Sequence, residues 1–212
     1  ALNKRIEGFE QEISLLTLAP ELSGSREIIS RLNDLGILAC LGHSSADDQV
    51  SQVAFKDGIK MLTHSFNAME GLHHRRPGPV AAACKHGAIS LGLIADGVHI
   101  HPTIAALLQI MAPEQLILVS DALFPYGLKD GTYVWHGREI IAKNGTCHLS
   151  NGQLAGTTIS LFQGTCNLAN WTKNPSSAIW SSTIAPRQVL GKVKAIKDYL
   201  LGQELNNLIR WK

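Results

Sequence analysis

Four segments of this 212-residue chain run from apolar residues into a side chain able to bind a metal or carry a proton. They are Leu41–Gly42–His43–Ser44, Leu62–Thr63–His64–Ser65, Ala95–Asp96–Gly97–Val98–His99 and Val119–Ser120–Asp121–Ala122. Imidazoles and carboxylates gathered at one mouth suit the holding of a divalent cation and the shuttling of protons. Each has a plainer reading when taken alone. A histidine at a strand end is more often a hydrogen-bonded structural residue, Asp121 can cap a turn, and His73–His74–Arg75–Arg76 can be a solvated loop. Together they point to a site, because folding does not require four strand ends to finish in His or Asp. The chain carries no G-x-S-x-G elbow, no P-loop and no G-x-G-x-x-G after its first strand, which argues against a serine hydrolase and a nucleotide fold.

The elements that would carry these residues alternate along the chain. Apolar β-rich runs at 14–19, 37–41, 60–63, 89–95 and 116–120 read as strands buried on both faces of a parallel sheet. Helical spacing lies between them. It runs over 25–35 (Ile28, Ile29, Leu32, Leu35, with a Ser able to cap it and Gly36 as a stop), 45–56 (Val50, Val53, Ala54, ending at Gly58) and 102–111 (Ile104, Leu107, Leu108, Met111 after an early Pro). This order implies right-handed βαβ units. It fits part of a (β/α)8 barrel better than an open sheet, although periodicity alone does not separate the two. In a parallel barrel all C-terminal strand ends face one mouth. Residues 131–154 alternate and carry the hairpin pairs Asn144–Gly145 and Asn151–Gly152, so a β-hairpin insertion is expected there, with C-terminal helices over 158–171, 176–190 and near 191–201. The expected organisation is one α/β domain over 1–212, with barrel elements at 14–125, the insertion at 131–154 and helices over 157–201.

Composition narrows the function. With 45% hydrophobic and 17% charged residues the chain is a folded domain, and apolar runs such as Leu116–Ile117–Leu118–Val119 are far too short to span a bilayer. A net charge of +2 from scattered Lys and Arg gives no basic face, so neither nucleic acid nor membrane is an expected partner. Four cysteines without a C-x-x-C pair point to a reducing, cytoplasmic setting.

The wording of the motifs is itself informative. Leu16–Thr17–Leu18–Ala19–Pro20–Glu21, Gly42–His43–Ser44, Thr63–His64–Ser65–Phe66–Asn67–Ala68–Met69, Gly71–Leu72–His73–His74–Arg75, Ile94–Ala95–Asp96–Gly97–Val98–His99, Val119–Ser120–Asp121–Ala122 and Leu154–Ala155–Gly156 follow one another in this order. The series resembles the N-acetylglucosamine-6-phosphate deacetylases of the amidohydrolase superfamily from about residue 14 to about residue 190. The resemblance implies a TIM-type barrel and hydrolysis of N-acetyl-D-glucosamine 6-phosphate to D-glucosamine 6-phosphate and acetate in amino-sugar catabolism. It implies metal ligation by His43 and His64, with Asp121 as general base and then general acid. Substrate contacts are implied at Asn67, Ala68, Arg75, Asp96, Gly97, Val98, His99, Leu154, Ala155 and Gly156. Arg75 is the natural phosphate partner, since a guanidinium forks onto phosphate oxygens. A neutral His99 is expected near the acetyl group, donating to the developing oxyanion. The cation is expected to be zinc first, with Fe, Mn or Co as alternatives. A homodimer is compatible with the resemblance.

A catalytic zinc generally takes three protein ligands. The resemblance places the third, a glutamate, in a His-Leu-Glu-Gly-Pro segment that this chain lacks. Ile6–Glu7–Gly8–Phe9 shares only the Glu-Gly pair, and Glu7, Glu10 and Glu12 read as an exposed helix. Glu21 is a conceivable substitute, with a loop or capping role the simpler reading. The expectation is therefore an incomplete barrel with weak metal binding and little activity in isolation. Alternatives are an inactive remnant that binds a sugar phosphate and an amidohydrolase acting on another N-acylated substrate.

Overall fold

The computed structural model describes residues 2–192. A short helix α1 (Leu2–Ile6) precedes β1 (Leu15–Leu18), and the chain continues as α2 (Ser25–Asp34), β2 (Leu38–Leu41), α3 (Asp48–Asp57), β3 (Met61–Leu62), α4 (Gly78–His86), β4 (Ser90–Ile94), α5 (Pro102–Met111) and β5 (Leu116–Val119). These five strands form one parallel sheet in the order β1-β2-β3-β4-β5. The strand expectations hold to within two residues at most ends. Next come β6 (Gly131–Trp135), β7 (Arg138–Lys143), β8 (Thr146–Leu149) and β9 (Leu154–Thr157), an antiparallel meander, then α6 (Leu161–Thr172) and α7 (Pro175–Val189). The meander reaches past the expected 154, because its fourth strand continues to Thr157.

Two-sided burial explains the apolar runs. Along β2, β3 and β5, Ala39, Leu41, Leu62, Leu116 and Leu118 join Leu91 and Leu93 of β4 in a core with Ile29, Leu32, Phe55, Val80, Ala105 and Leu108 of the helices. Alternate residues Cys40, Met61 and Ile117 face the other way, against Ala185, Trp180 and Val189 of α7. The ends of β1, β2 and β3 pair flush, Leu18 with Leu41 and Leu41 with Leu62, as do those of β4 and β5, Ile94 with Val119. Leu62 pairs with Leu91, so β4 runs three residues further than β3, and the loops that follow all leave from the same end of this parallel sheet.

Several local expectations are corrected. The Ser cap of α2 is not made: Gly24 stands at the cap in a left-handed turn, and Ser25 Oγ donates to the Pro20 carbonyl at 2.6 Å. Helix α3 starts at Asp48 and not at 45, because the Asp47 carboxylate accepts the Val50 N–H while Ser45 is engaged elsewhere. Val53, Ile104, Leu107 and Met111 are exposed, since the inward faces of α3 and α5 are Ser51, Ala54 and Phe55, and Ala105, Leu108 and Gln109. The expected helix around Glu7, Glu10 and Glu12 is instead a pair of turns after α1, broken at Gly8 with φ +81°. Helix α4 is absent from the sequence expectations because Pro77–Gly78–Pro79 resembles a loop, yet Pro79 sits in the first turn, where a missing N–H costs nothing. The expected helix near 191–201 lies, past residue 192, outside the described residues.

Candidate functional site

His43, His64, Asp96 and Asp121 each stand two residues past a strand end, on the same end of the parallel sheet. Glycines admit them to that end. A Cβ on Gly42 would stand 2.8 Å from Thr63 Cβ and 2.9 Å from Thr17 Cγ2, where the two threonine hydroxyls share a 2.8 Å hydrogen bond. A Cβ on Gly92 would stand 2.8 Å from the Leu62 carbonyl and 3.0 Å from the His64 nitrogen. The backbone then bends sharply: His43 (φ 49°), His64 (φ 30°) and Asp121 (φ 50°) are all left-handed, as is Ala68 (φ 50°). Such residues are uncommon outside glycine, persist only where the surroundings hold them, and cluster at functional sites.

The structure brings the two imidazoles together. His43 Nε2 and His64 Nε2 are 3.0 Å apart, with the rings edge to face at 79°. Burial pushes the His64 pKa down, and the neighbouring Asp121 charge opposes that shift. His64 therefore favours the neutral ring that ligates metals. Two nitrogens each about 2.0–2.1 Å from one ion stand about 2.9–3.4 Å apart at bond angles between right and tetrahedral. The observed spacing fits two ligands on a single cation. Among the described residues, no group of three His, Cys, Asp or Glu side chains gathers as a metal site.

Asp121 lies near enough to His64 to bear on its titration, and its carboxylate takes no hydrogen bond among the described residues. Its backbone is clamped from the meander. The Asp121 carbonyl accepts Thr157 N–H at 3.0 Å, Thr157 Oγ1 donates to the Ser120 carbonyl at 2.7 Å, and Leu123 N–H donates to the Thr157 carbonyl at 3.0 Å. Gly156, expected to touch substrate, is buried here with φ +155°, where a Cβ would come 2.8 Å from the Asp121 carbonyl oxygen. Gly156→Ala is therefore expected to displace the Asp121 loop and cost about 1–3 kcal/mol of stability, as overpacking does. Urea unfolding with an unchanged slope checks it. Leu154 and Ala155 are half-buried beside Gly156 on β9.

The Asp96-to-His99 run folds onto itself. Asp96 Oδ1 accepts the N–H groups of Val98 and His99 at 2.9 and 2.8 Å, and Asp96 Oδ2 lies 2.6 Å from His99 Nδ1, with both side chains buried. Burial raises the Asp96 pKa, but the His99 side chain and these two N–H groups outweigh it and hold the carboxyl below its usual range. With Nδ1–H committed to Asp96, a neutral His99 presents a lone pair at Nε2. The expectation that a neutral His99 donates to an oxyanion is thus corrected: only the imidazolium has an Nε2–H to give. Gly97 and Val98 are exposed on the turn between these two side chains.

Asn67 is half-buried and donates to the Ser65 carbonyl at 3.2 Å, while Ala68 is exposed, its carbonyl accepting Ser44 N–H at 2.9 Å. Arg75 is exposed, and its guanidinium has no hydrogen bond or ion pair among the described residues. Glu21 is not free to ligate a cation: its two oxygens accept Ser44 Oγ at 2.6 Å, Ser45 N–H at 2.7 Å and Ser45 Oγ at 3.1 Å. Burial raises its pKa, and these bonds bring it below the ordinary carboxylate value. The roles of Glu21 and Thr157 escape sequence reasoning because both act across loops distant in the chain. No helix of the described residues is long and apolar enough to cross a membrane.

No family model matches the chain. An N-acetylglucosamine-6-phosphate deacetylase from Bacillus subtilis (strain 168) is 39% identical over 162 residues, covering 76% of this chain and 41% of that protein. A shorter chain from Escherichia coli (strain K12), bearing an N-acetylgalactosamine-6-phosphate deacetylase name, is 37% identical over 129 residues, or 60% of this chain and 77% of its own length. The solved structure of an N-acetyl-D-glucosamine-6-phosphate deacetylase mutant from Mycobacterium smegmatis, in complex with N-acetyl-D-glucosamine-6-phosphate, is similar with a TM-score of 0.86. It shares 27% identity over 90% of this chain and 52% of that one. The chain spans about half the length of the curated relatives it matches, 41% to 51% for the first three.

Proposed function

This chain belongs to the family of the N-acetylglucosamine- and N-acetylgalactosamine-6-phosphate deacetylases, and from that premise we propose that it carries the metal-binding and proton-transfer half of a deacetylase acting on N-acetyl-D-glucosamine 6-phosphate. The carrying observation is the 3.0 Å approach of His43 and His64 at the flush ends of β2 and β3, with Asp121 near His64. The parallel sheet is part of a (β/α)8 barrel in this reading, and among the described residues both its outer strands, β1 and β5, offer unpaired edges for further strands.

His43 and His64 would hold the cation, zinc or another divalent ion. When bound, the ion supplies Lewis acidity, polarising the amide carbonyl and making water a stronger acid. Asp121, its carboxylate without a hydrogen-bond partner among the described residues, accepts a proton from the attacking water and returns it to the departing amine, which leaves as glucosamine 6-phosphate with acetate as co-product. Asp96 fixes the ring of His99, and Arg75 meets the phosphate. Asn67, Ala68, Gly97, Val98, Leu154 and Ala155 complete the substrate contacts. Free cysteines suit a cytoplasmic setting, and a second copy of the chain is the one macromolecular partner in this reading.

Weak acetate release from N-acetylglucosamine 6-phosphate by this chain alone, raised by added zinc and lost with a chelator, is the expected result, and no release with any divalent cation contradicts it. The relative named for N-acetylgalactosamine 6-phosphate favours a second reading, the epimeric sugar, which the same assay separates by the ratio of kcat/KM values. Arg75→Ala is expected to raise KM for the phosphorylated sugar about 10- to 100-fold, the worth of a charged hydrogen-bond pair, and to leave unphosphorylated N-acetylglucosamine unaffected.

A further inference from the structure

We propose that Glu21 is a positioning residue for the His43 imidazole: by gripping Ser44 and Ser45 it sets where His43 stands opposite His64. The proposal rests on the metal reading of the imidazole pair and adds a residue to it.

Residue 43 is held between two ties. On one side Glu21, three residues past the end of β1, accepts Ser44 Oγ at 2.6 Å and both the backbone N–H and the hydroxyl of Ser45, at 2.7 and 3.1 Å. Ser44 Oγ is itself oriented, since it accepts Ala46 N–H at 3.1 Å while donating to Glu21. On the other side Ser44 N–H donates to the carbonyl of Ala68, in the loop that follows His64. One carboxylate and one carbonyl thus lace the loops after β1, β2 and β3 at the residue next to His43. His43 itself has φ 49°, a conformation the chain holds only under constraint. Ser44 is buried, so releasing its hydroxyl from Glu21 leaves a polar group without its acceptor. Both Glu21 oxygens are engaged, which separates this role from ligation.

The test compares the chain with Glu21→Ala and Glu21→Gln. Glutamine keeps an amide oxygen for Ser45 N–H and turns an N–H toward Ser44 Oγ, so it restores the tie without the charge. Zinc affinity by chelator competition is expected to fall about 10- to 100-fold in the alanine variant, the usual cost of losing a partner that orients a ligand, and to recover in the glutamine variant. The Co2+ absorption spectrum is expected to keep the same form in both. Unchanged affinity in Glu21→Ala overturns the proposal. So does equal loss in both variants with an altered cobalt spectrum, which would make Glu21 a ligand. A second readout needs no metal: in long-range imidazole 1H–15N spectra of the metal-free protein, the His43 ring nitrogens are expected to shift in Glu21→Ala and return in Glu21→Gln. If the parent protein binds no cation, the metal reading fails by itself. The ring spectra still decide on Glu21, with unshifted His43 signals overturning its role.

Discussion

Asp121→Asn is expected to lower kcat for N-acetylglucosamine 6-phosphate by about 10²- to 10⁴-fold, the range over which positioned acid–base groups act. Asparagine is the informative replacement for a conformational reason. Asp121 has φ 50°, and Asn is among the few residues that tolerate the left-handed region, so the backbone clamp from Thr157 and the Gly156 contact survive. What is lost is the ability to take a proton from water and hand it to the amine. The expected signature is a collapse of kcat with KM changed much less, and a thermal transition close to that of the parent. If Asp121→Asn retains parent-like turnover, Asp121 is not the proton carrier and the chemistry must be sought elsewhere on the strand edge.

A second large effect is expected at the imidazole pair. His43→Asn and His64→Asn again keep a residue suited to left-handed backbone while removing Nε2 from its 3.0 Å partnership. Each is expected to weaken zinc binding by more than the about 10- to 100-fold that an outer partner costs, and to reduce turnover to the level of the chelated protein. The double variant is expected to be no worse in turnover than either single one, because residues that act as a unit do not add. Isothermal titration and initial rates measure both. Additive losses would show that the histidines serve separate purposes.

The legible parts of the fold were those where one physical signal dominated. The strands were readable because burial on both faces leaves a continuous apolar run, as at Leu116–Ile117–Leu118–Val119, and the hairpin at Asn144–Gly145 because both residues take the positive φ that a tight turn demands. The placement of His43, His64 and Asp121 at one end of the sheet was readable because each follows such a run at the same two-residue offset. The parts that stayed hidden depend on pairing across the chain. Glu21 looks like any loop acid until Ser44 and Ser45, more than twenty residues later, are seen to grip it. Gly156 reads as one more residue of a substrate motif until the Asp121 carbonyl fills the space a Cβ would need. The tautomer of His99 follows only from the 2.6 Å contact with Asp96. Helix faces were half legible: α5 is apolar nearly all round, so composition could not say that Leu108 would be buried and Leu107 exposed.

The central claim is that His43 and His64 hold one cation within reach of Asp121, the proton carrier. An anomalous difference map at the zinc edge, from crystals grown with Zn2+, tests it most directly. The account predicts one strong peak about 2.0–2.1 Å from both Nε2 atoms, on the side facing the Asp121 carboxylate. A map with no peak there, or with zinc bound to one histidine and a surface group, would contradict it.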